Sequence, residues 1–300
     1  MSNLNIAMIG LDTSHAEIFT KLLLDKEQPH KVKGAKITAA FPGGSEDFPL
    51  SRNRVNRYTS LLKKEYGVSI FKTPEAAAEN ADAIWITAVD GRVHEKLFES
   101  ISHFKKPVFI DKPFALSSDA ANRMIRLAKE KGIPLMSSSS LRFDETLNNA
   151  LDGAKEKLIG ADCYGPMELQ ETQSGLFWYG IHTAEMLYRI LGAGCVRVSA
   201  RCSADFETIT GEWKDGRFGT MRGARKGHGF FGALLHYEDQ PRLIEIQKTE
   251  KPYYVSLLEK MVVFSETGKA DPVLNETAEV IRFLEAANES REKDGKWIHL

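Results

Sequence analysis

Two hydrophobic periodicities alternate along the first 140 residues. Short apolar runs of strand length are separated by stretches in which apolar residues recur at helical spacing, as do Phe19, Leu22 and Leu23. Continuously apolar strands are typical of a parallel sheet covered on both faces, and parallel neighbours are usually joined by a crossover helix. The pattern predicts an α/β domain with a Rossmann-type, doubly wound parallel sheet over residues 1–140. Its predicted strands lie at 6–9, 36–41, 68–71 and 83–87, and begin again at 108 and 135.

The pattern changes after residue 140, where several strands follow one another. Asp215-Gly216 is a typical hairpin turn between two of them. Strands in succession, with helices at both ends, indicate an α+β domain with a largely antiparallel open sheet over residues 141–300. The strands are predicted near 167–173, 196–203, 206–213, 218–222, 229–236 and 242–246, and the helices from 144, over 181–191 and at the end of the chain, where Val280, Ile281, Leu284 and Ala287 share one face.

The predicted strand from Val108 ends abruptly in Asp111, Lys112 and Pro113. In open α/β sheets ligands bind at the carboxyl ends of the strands, so a lysine delivered there, next to a proline of fixed φ, can be aimed into a cleft. The alternative is an exposed lysine in an ordinary strand-to-helix turn, where most lysines lie.

The turn after the first strand is a candidate phosphate site. Gly10 lies between a strand and a helix, where a glycine-rich turn brings backbone amides and a helix N-terminus to a pyrophosphate. The fingerprint G-x-G-x-x-G would continue with glycines at the positions of Asp12 and His15. Thr13 and Ser14 still offer hydroxyls and amides to an anion. The alternative is that Asp12 or Ser14 only caps the first helix.

The acidic residue that would hold a ribose diol at the end of the second strand is missing, because residues 40–45 are Ala-Phe-Pro-Gly-Gly-Ser. Ser45, Arg52 or Arg54 could instead meet a 2′-phosphate, so NADP is as acceptable as NAD. The alternative is that the arginines form a solvated helix face.

His182 lies in the aromatic segment 177–185, two residues after Gly180. With an ordinary pKa of about 6.5, an imidazole can take a proton from an alcohol near neutral pH. Glu185, one turn further on, could orient the ring. The alternative is a structural histidine in an aromatic cluster. The remaining histidines lack metal-ligand spacing, so no bound metal is expected.

Composition excludes several classes of partner. Forty basic and forty-one acidic side chains leave a net charge of −1, so neither nucleic acid nor an anionic membrane is an expected partner. No apolar run has the length of a membrane span, and the N-terminus lacks the features of a signal peptide. Cys163, Cys195 and Cys202 show neither paired nor zinc-binding spacing. A cytoplasmic protein acting on a small molecule is expected.

Together these features resemble the Gfo/Idh/MocA family, named after glucose-fructose oxidoreductase, inositol dehydrogenase and MocA. The similar segments occur in family order over essentially the whole chain. They are Asp90-Gly91 with Val93-His94, similar to the segment that carries a histidine after the fourth strand; Asp111-Lys112-Pro113, similar to the E-K-P motif; Arg142-Phe143, similar to R-F at the domain junction; and Gly180-x-His182-x-x-Glu185, similar to G-x-H-x-x-D.

The resemblance implies an NAD or NADP cofactor, hydride transfer to or from a sugar, cyclitol or related polyol, and a homo-oligomer, dimer or tetramer, formed through the open sheet. By position, Lys112 would polarise the reacting oxygen and relay its proton, and His182 would be the general acid/base. The further implied cofactor residues are Asp90, His94, Asp111 and Pro113, and the implied substrate residues are Arg142, Trp178, Tyr179 and Glu185.

Two alternatives belong to other functional classes. One is a binding or regulatory protein without chemistry, favoured by the altered turn at Asp12 and by Trp178, which stands where the family often has an aspartate and offers a stacking surface for a sugar ring. The other is a lyase or hydrolase that uses tightly held NAD transiently.

Overall fold

A computed structural model describes residues 3–154, 156–246 and 249–300. The chain divides into two compact units. The first contains the residues up to Ala115 together with Asp119–Ser138 and Tyr254–Leu274, and the second contains Leu116–Ser118, Ser139–Tyr253 and Asn275–Leu300. The longest segment of the second unit begins at Ser139, next to the boundary expected after residue 140.

The first unit is built from alternating strands and helices. They are β1 (Leu4–Ile9), α1 (Ser14–Leu24), β2 (Ala35–Phe41), α2 (Pro49–Glu65), β3 (Ser69–Ile70), α3 (Pro74–Ala78), β4 (Ala83–Ile86), α4 (His94–Ile101), β5 (Val108–Asp111), α5 (Ser118–Lys131) and β6 (Leu135–Ser138).

These strands form one six-stranded parallel sheet in the order β3-β2-β1-β4-β5-β6. Every residue of β4 and β5 is buried, as expected for strands covered on both faces. The order reverses between β1 and β4, which is the switch point where doubly wound sheets bind ligands. The predicted Rossmann-type sheet is confirmed.

The second unit follows. Its elements are α6 (Glu145–Asp152), β7 (Leu158–Pro166), α7 (Gly180–Leu191), β8 (Cys195–Cys202), β9 (Phe206–Trp213), β10 (Phe218–Ala224), β11 (Gly232–Tyr237), β12 (Pro241–Glu245), then α8 (Tyr253–Thr267), nearly all of which returns to the first unit, α9 (Leu274–Glu292) and β13 (Ile298–His299).

The seven strands of the second unit form a sheet in the order β12-β11-β7-β10-β9-β8-β13. All neighbours are antiparallel except β7 and β10, so the predicted, largely antiparallel sheet is confirmed. Buried residues alternate with exposed or half-buried ones along β9 and β10, and with half-buried ones along most of β11. The rings of Tyr188, Trp213 and Phe283 pack together on the covered side, with centroids 5.6–6.4 Å apart.

Helix α8 was not predicted from the sequence. In the first unit its Ser265 hydroxyl accepts a hydrogen bond of 3.0 Å from the buried indole of Trp85 on β4. At its start the Tyr254 ring lies edge-on to His15, with centroids 5.1 Å apart. The segment therefore completes the core of the first unit although it lies far along the chain.

The strand predicted near 167–173 is wrong. The strand of this region is β7, which ends at Pro166, and 167–173 is irregular. Met167 is nevertheless fully buried because its side chain fills the space that Gly223 leaves open, where an added Cβ would lie 2.5 Å from the Met167 sulfur. An apolar residue buried on an irregular segment produced the misleading signal.

The cap of the first helix also differs from the expectation. Thr13, not Ser14, is the N-cap of α1, and its hydroxyl accepts from the His15 amide at 3.4 Å. Helix α2 begins at Pro49, so Ser51 lies inside its first turn and is buried. In contrast, the hairpin at Asp215-Gly216 and the apolar face of α9 are confirmed. None of the helices in the described part of the chain is long and apolar enough to cross a membrane.

The close approach of Gly10 to Ala88 can be tested with a matched pair of variants. Gly10 and Gly132 both have positive φ, +95° and +67°, which costs an alanine about 1–2 kcal/mol. An added Cβ at Gly10 would lie 2.4 Å from the Ala88 Cα, whereas at Gly132 nothing lies within 4 Å. Gly10→Ala should therefore lower the free energy of unfolding by at least about 2 kcal/mol more than Gly132→Ala. Urea denaturation of both variants measures this, and equal losses would contradict it.

Candidate functional site

The turn between β1 and α1 holds a buried carboxylate. Asp12 is 0% exposed; its side chain accepts hydrogen bonds from the Ser51 hydroxyl at 2.6 Å and from the Val89 amide at 2.9 Å. Burial raises the pKa of Asp12 above the ordinary value, and these two hydrogen bonds oppose the shift. The carboxylate thus connects the turn after β1 with α2 and with the loop after β4.

Polar contacts also join the loops that follow β2 and β4. Ser45 donates from its hydroxyl to Asp90 at 2.6 Å and from its amide to the Ser51 hydroxyl at 2.8 Å. Arg92 pairs with the buried Asp90 and with the exposed Asp47, both at 2.7 Å. Arg52 donates to the Glu46 carbonyl at 3.0 Å. Ser45 and Asp90 are therefore brought together, while Arg52, on α2, contacts the backbone of the loop that precedes its helix.

A cavity of about 440 Å³ opens beside these loops in the first unit. This volume lies in the range of small-molecule sites, and apolar walls with a few polar groups are typical of them. Its lining includes Phe41, Val93 and Leu97 as apolar walls and Lys72, Thr73 and Lys96 as polar groups. The two lysines are the basic groups in this lining. Sequence reasoning missed both lysines, because neither lies in the loop after β2.

Lys112 lies at the carboxyl end of β5 and is half-buried. Burial lowers the pKa of Lys112, and the neighbouring Asp111 carboxylate opposes this shift. Asp111 is itself buried, but the charge of His15 and its hydrogen bond, together with Lys112, hold the pKa of Asp111 below its ordinary value. The Lys112 amide donates to Asp111 at 2.8 Å. An amine with a lowered pKa is suited to proton transfer.

His94 lies at the start of α4 and is completely buried. Its Nδ1 lies 2.9 Å from the Pro113 carbonyl oxygen and its Nε2 lies 2.8 Å from the Ala88 carbonyl oxygen. The ring thus connects the loop after β4 to the loop that carries Lys112. His15 and His94 together brace the residues on either side of that lysine.

In the second unit, His182 lies in the first turn of α7 and is half-buried. Its Nδ1 lies 2.7 Å from the Ser139 hydroxyl, and its ring packs against Tyr179 and Phe231 with centroids 5.4 and 5.9 Å away. A hydrogen bond at one ring nitrogen orients an imidazole and selects its tautomer. Ser139, which sequence reasoning missed, is therefore a contact that fixes His182.

The predicted substrate residues Arg142 and Glu185 form a buried ion pair at 3.3 Å, and Glu276 is the second partner of the guanidinium. Burial raises the pKa of Glu185 to about 7, an effect that Arg142 opposes and Glu276 reinforces. The Ser139 amide donates to Glu185. Ser139 thus links this cluster to His182.

Trp178 and Tyr179 come directly before α7. Trp178 is 8% exposed, and its ring lies 6.5 Å from that of Tyr179. Tyr179 is half-buried, and burial raises the pKa of its hydroxyl. The described residues contain no cluster of three or more side chains suited to hold a metal ion.

Sequence comparison identifies a family for the first unit. Residues 4–139 match the model of an oxidoreductase family with an NAD-binding Rossmann fold. No curated protein matches the chain.

Solved structures with the same overall fold cover nearly the whole chain. A probable dehydrogenase from Thermotoga maritima is 19% identical, with a TM-score of 0.82 over 99% of this chain and 98% of that one. Scyllo-inositol dehydrogenase from Lactobacillus casei, with bound NAD(H) and scyllo-inositol, is 16% identical, with a TM-score of 0.81 over 99% of both chains. Myo-inositol 2-dehydrogenase from Lactobacillus plantarum is 16% identical, with a TM-score of 0.80 over 100% of both chains. At these identities the likeness shows the fold.

The raised pKa of Glu185 predicts a pH-dependent contribution to stability. Burial raises the pKa of Glu185 from its ordinary value of 4.5 to about 7. Between these values the folded chain keeps a proton that the unfolded chain has lost, so the stability contributed by this residue falls as the pH rises. From about pH 5 to about pH 8, wild type should lose about 2–3 kcal/mol relative to Glu185→Gln.

The free energies of unfolding of both proteins, measured by urea denaturation across this pH range, check the prediction. Glu276→Gln is the matched control: its pH-dependent loss should be smaller than that of wild type, since Glu276 helps to raise the pKa of Glu185. A difference between wild type and Glu185→Gln that does not change with pH would contradict the prediction.

Proposed function

We propose that this chain belongs to the Gfo/Idh/MocA oxidoreductase family, whose model matches residues 4–139. In this proposal it is an NAD(P)-dependent dehydrogenase acting on a hydroxyl group of a small polyol such as a sugar or cyclitol. The inositol dehydrogenases among its structural neighbours support this substrate class. The observation that carries the proposal is the environment of Lys112.

Lys112 stands at the carboxyl end of a parallel strand, the edge where Rossmann sheets bind ligands. Its amine has a lowered pKa, and the residues on both sides of it are held by buried histidines. A bound nicotinamide would supply or accept the hydride. Lys112 would polarise the reacting oxygen and transfer its proton, and His182 would serve as general acid/base, with its ring held by Ser139.

The first unit offers a place for the adenosine part of the cofactor. The cavity beside Phe41 has the size and apolar walls for a nucleoside, and Lys72 and Lys96 can meet either a phosphate of NAD or the 2′-phosphate of NADP. NAD and NADP both remain in the proposal.

The second candidate function is a binding or regulatory protein of the same fold. The observation that favours it is Asp12, a carboxylate in the turn that would meet the cofactor phosphates. Binding of NADH or NADPH without turnover of any polyol would select this candidate.

Replacement of Lys112 tests the dehydrogenase directly. With NAD⁺ or NADP⁺ and a panel of inositols and sugars, Lys112→Ala should lose at least about 100-fold in turnover, as expected for removal of a general acid/base. Its NADH affinity should stay within about twofold, because the lost interaction acts on the reacting oxygen. Lys129→Ala, at an exposed position of α5, is the matched control and should be fully active. Turnover retained in Lys112→Ala would refute the assignment.

The contact between Ser139 and His182 makes a separate prediction. One hydrogen bond is worth about 0.5–1.5 kcal/mol net, so Ser139→Ala should lower kcat up to about tenfold with little change in KM. Ser139→Thr keeps the hydroxyl and should recover most of the rate. Steady-state kinetics with the best substrate of the panel measure this; equal rates for the alanine and threonine variants would show that the contact does not position the ring.

A further inference from the structure

The loops after β2 and β4 meet across the switch point of the first unit. β1 lies between β2 and β4 in the sheet, so any contact between the loops that follow those two strands passes over the end of β1. Ser45 with Asp90, and Asp47 with Arg92, make such contacts. The end of β1 is therefore spanned by a polar bridge at the place where a doubly wound sheet accepts its ligand.

Asp12 belongs to this bridge. Its carboxylate accepts from the Ser51 hydroxyl, which accepts from the Ser45 amide, and the Ser45 hydroxyl donates to Asp90. The hydrogen bonds run without interruption from the turn after β1 to the loop after β4. Every carboxylate in the bridge has a donor, so the closed arrangement is chemically complete.

The bridge carries negative charge at the place where a dinucleotide would put its negatively charged pyrophosphate. Asp12, Asp47 and Asp90 are opposed by the single guanidinium of Arg92, which leaves an excess of two negative charges. The one further charged or titratable group known to act on Asp12 is His94, whose charge opposes the rise in the pKa of that carboxyl.

The hydrogen bond from the Val89 amide to Asp12 uses a donor of the kind that binds phosphate. Backbone amides at the end of a strand and at a helix N-terminus are the groups that bind phosphate in this fold. The Asp12 carboxylate accepts a hydrogen bond of 2.9 Å from the Val89 amide. Asp12 also occupies the position at which the second glycine of the fingerprint would let the backbone approach a pyrophosphate. A carboxylate bound to such an amide competes with a cofactor phosphate for the same donor.

We propose that the carboxylate of Asp12 holds the position of a cofactor phosphate and is the main determinant of a weakened affinity for dinucleotides in this chain. The proposal rests on the proposed function, since it presupposes an NAD-type ligand. If Asp12 were only a structural link, replacing its charge by a neutral group of the same shape would leave affinity unchanged or weaken it.

Direct titration with NADH and NADPH, followed by cofactor fluorescence, tests the proposal. Asp12→Asn removes the charge and keeps an oxygen that can accept from Val89. Its affinity should exceed that of wild type by about 10- to 100-fold, since a charge–charge repulsion within a few ångström is lost. Asp47→Asn is the matched control: it removes an equal charge at the exposed end of the bridge and should change affinity less than about threefold.

Ligand fragments separate the charge effect from a general loosening of the loops. ADP-ribose, which carries the pyrophosphate, should gain as much affinity in Asp12→Asn as NADH does, whereas adenosine should gain none. Asp12→Gly, which restores the smallest residue, should show the same contrast and serves if the asparagine variant does not fold.

The outcomes distinguish the two proposals. If wild type binds a dinucleotide and Asp12→Asn binds it equally or less tightly, or if adenosine gains as much as ADP-ribose, the role of Asp12 is refuted and the dehydrogenase proposal stands. If neither wild type nor the Asp12 variants bind NADH or NADPH, the dehydrogenase proposal fails and this inference fails with it.

Discussion

The buried carboxylate of Asp12 is the interaction on which the candidate cofactor site depends. A charged group without contact to water must be paired or hydrogen-bonded, because an unsatisfied one costs several kcal/mol. Asp12 meets this demand with donors from α2 and from the loop after β4. The demand of one side chain therefore fixes the relative positions of three connections at the ligand-binding edge of the sheet.

The same constraint shapes the surroundings of both candidate proton-transfer groups. Behind Lys112, the buried Asp111 is satisfied by His15. Near His182, the buried Arg142 is paired with Glu185 and Glu276, and Ser139 links that cluster to the imidazole. In each unit, buried charged side chains are paired because burial without a partner is costly. These pairs position a more exposed neighbour, Lys112 or His182, and such support keeps a reactive side chain in one orientation.

The sequence predicted the layers of the fold better than the contacts of the site. Parallel strands are readable because burial on both faces makes them continuously apolar, as in β4 and β5. β7 contains Gly160, Asp162 and Gly165, which weaken a strand pattern, so the apolar residue just beyond it was mistaken for the strand. Helix α8 belongs to the first unit through contacts such as Trp85 with Ser265, which lie 180 residues apart and leave no local signal.

The site residues also differ in whether a local sequence pattern reveals them. Lys112 and His182 were found because short motifs carry them, whereas Ser51 and Ser139 became visible only as partners of distant side chains. Asp12 and His15 stand at the second and third glycine positions of a dinucleotide-binding turn. Simple decay of that motif would leave buried polar groups without partners. Instead His15 pairs with Asp111, and Asp12 pairs with Ser51 and Val89. Both side chains that replace glycine have hydrogen-bond partners elsewhere in the fold, so the altered turn is a well-packed structure. Any ligand that binds at this turn must therefore fit Asp12 and His15 rather than two glycines.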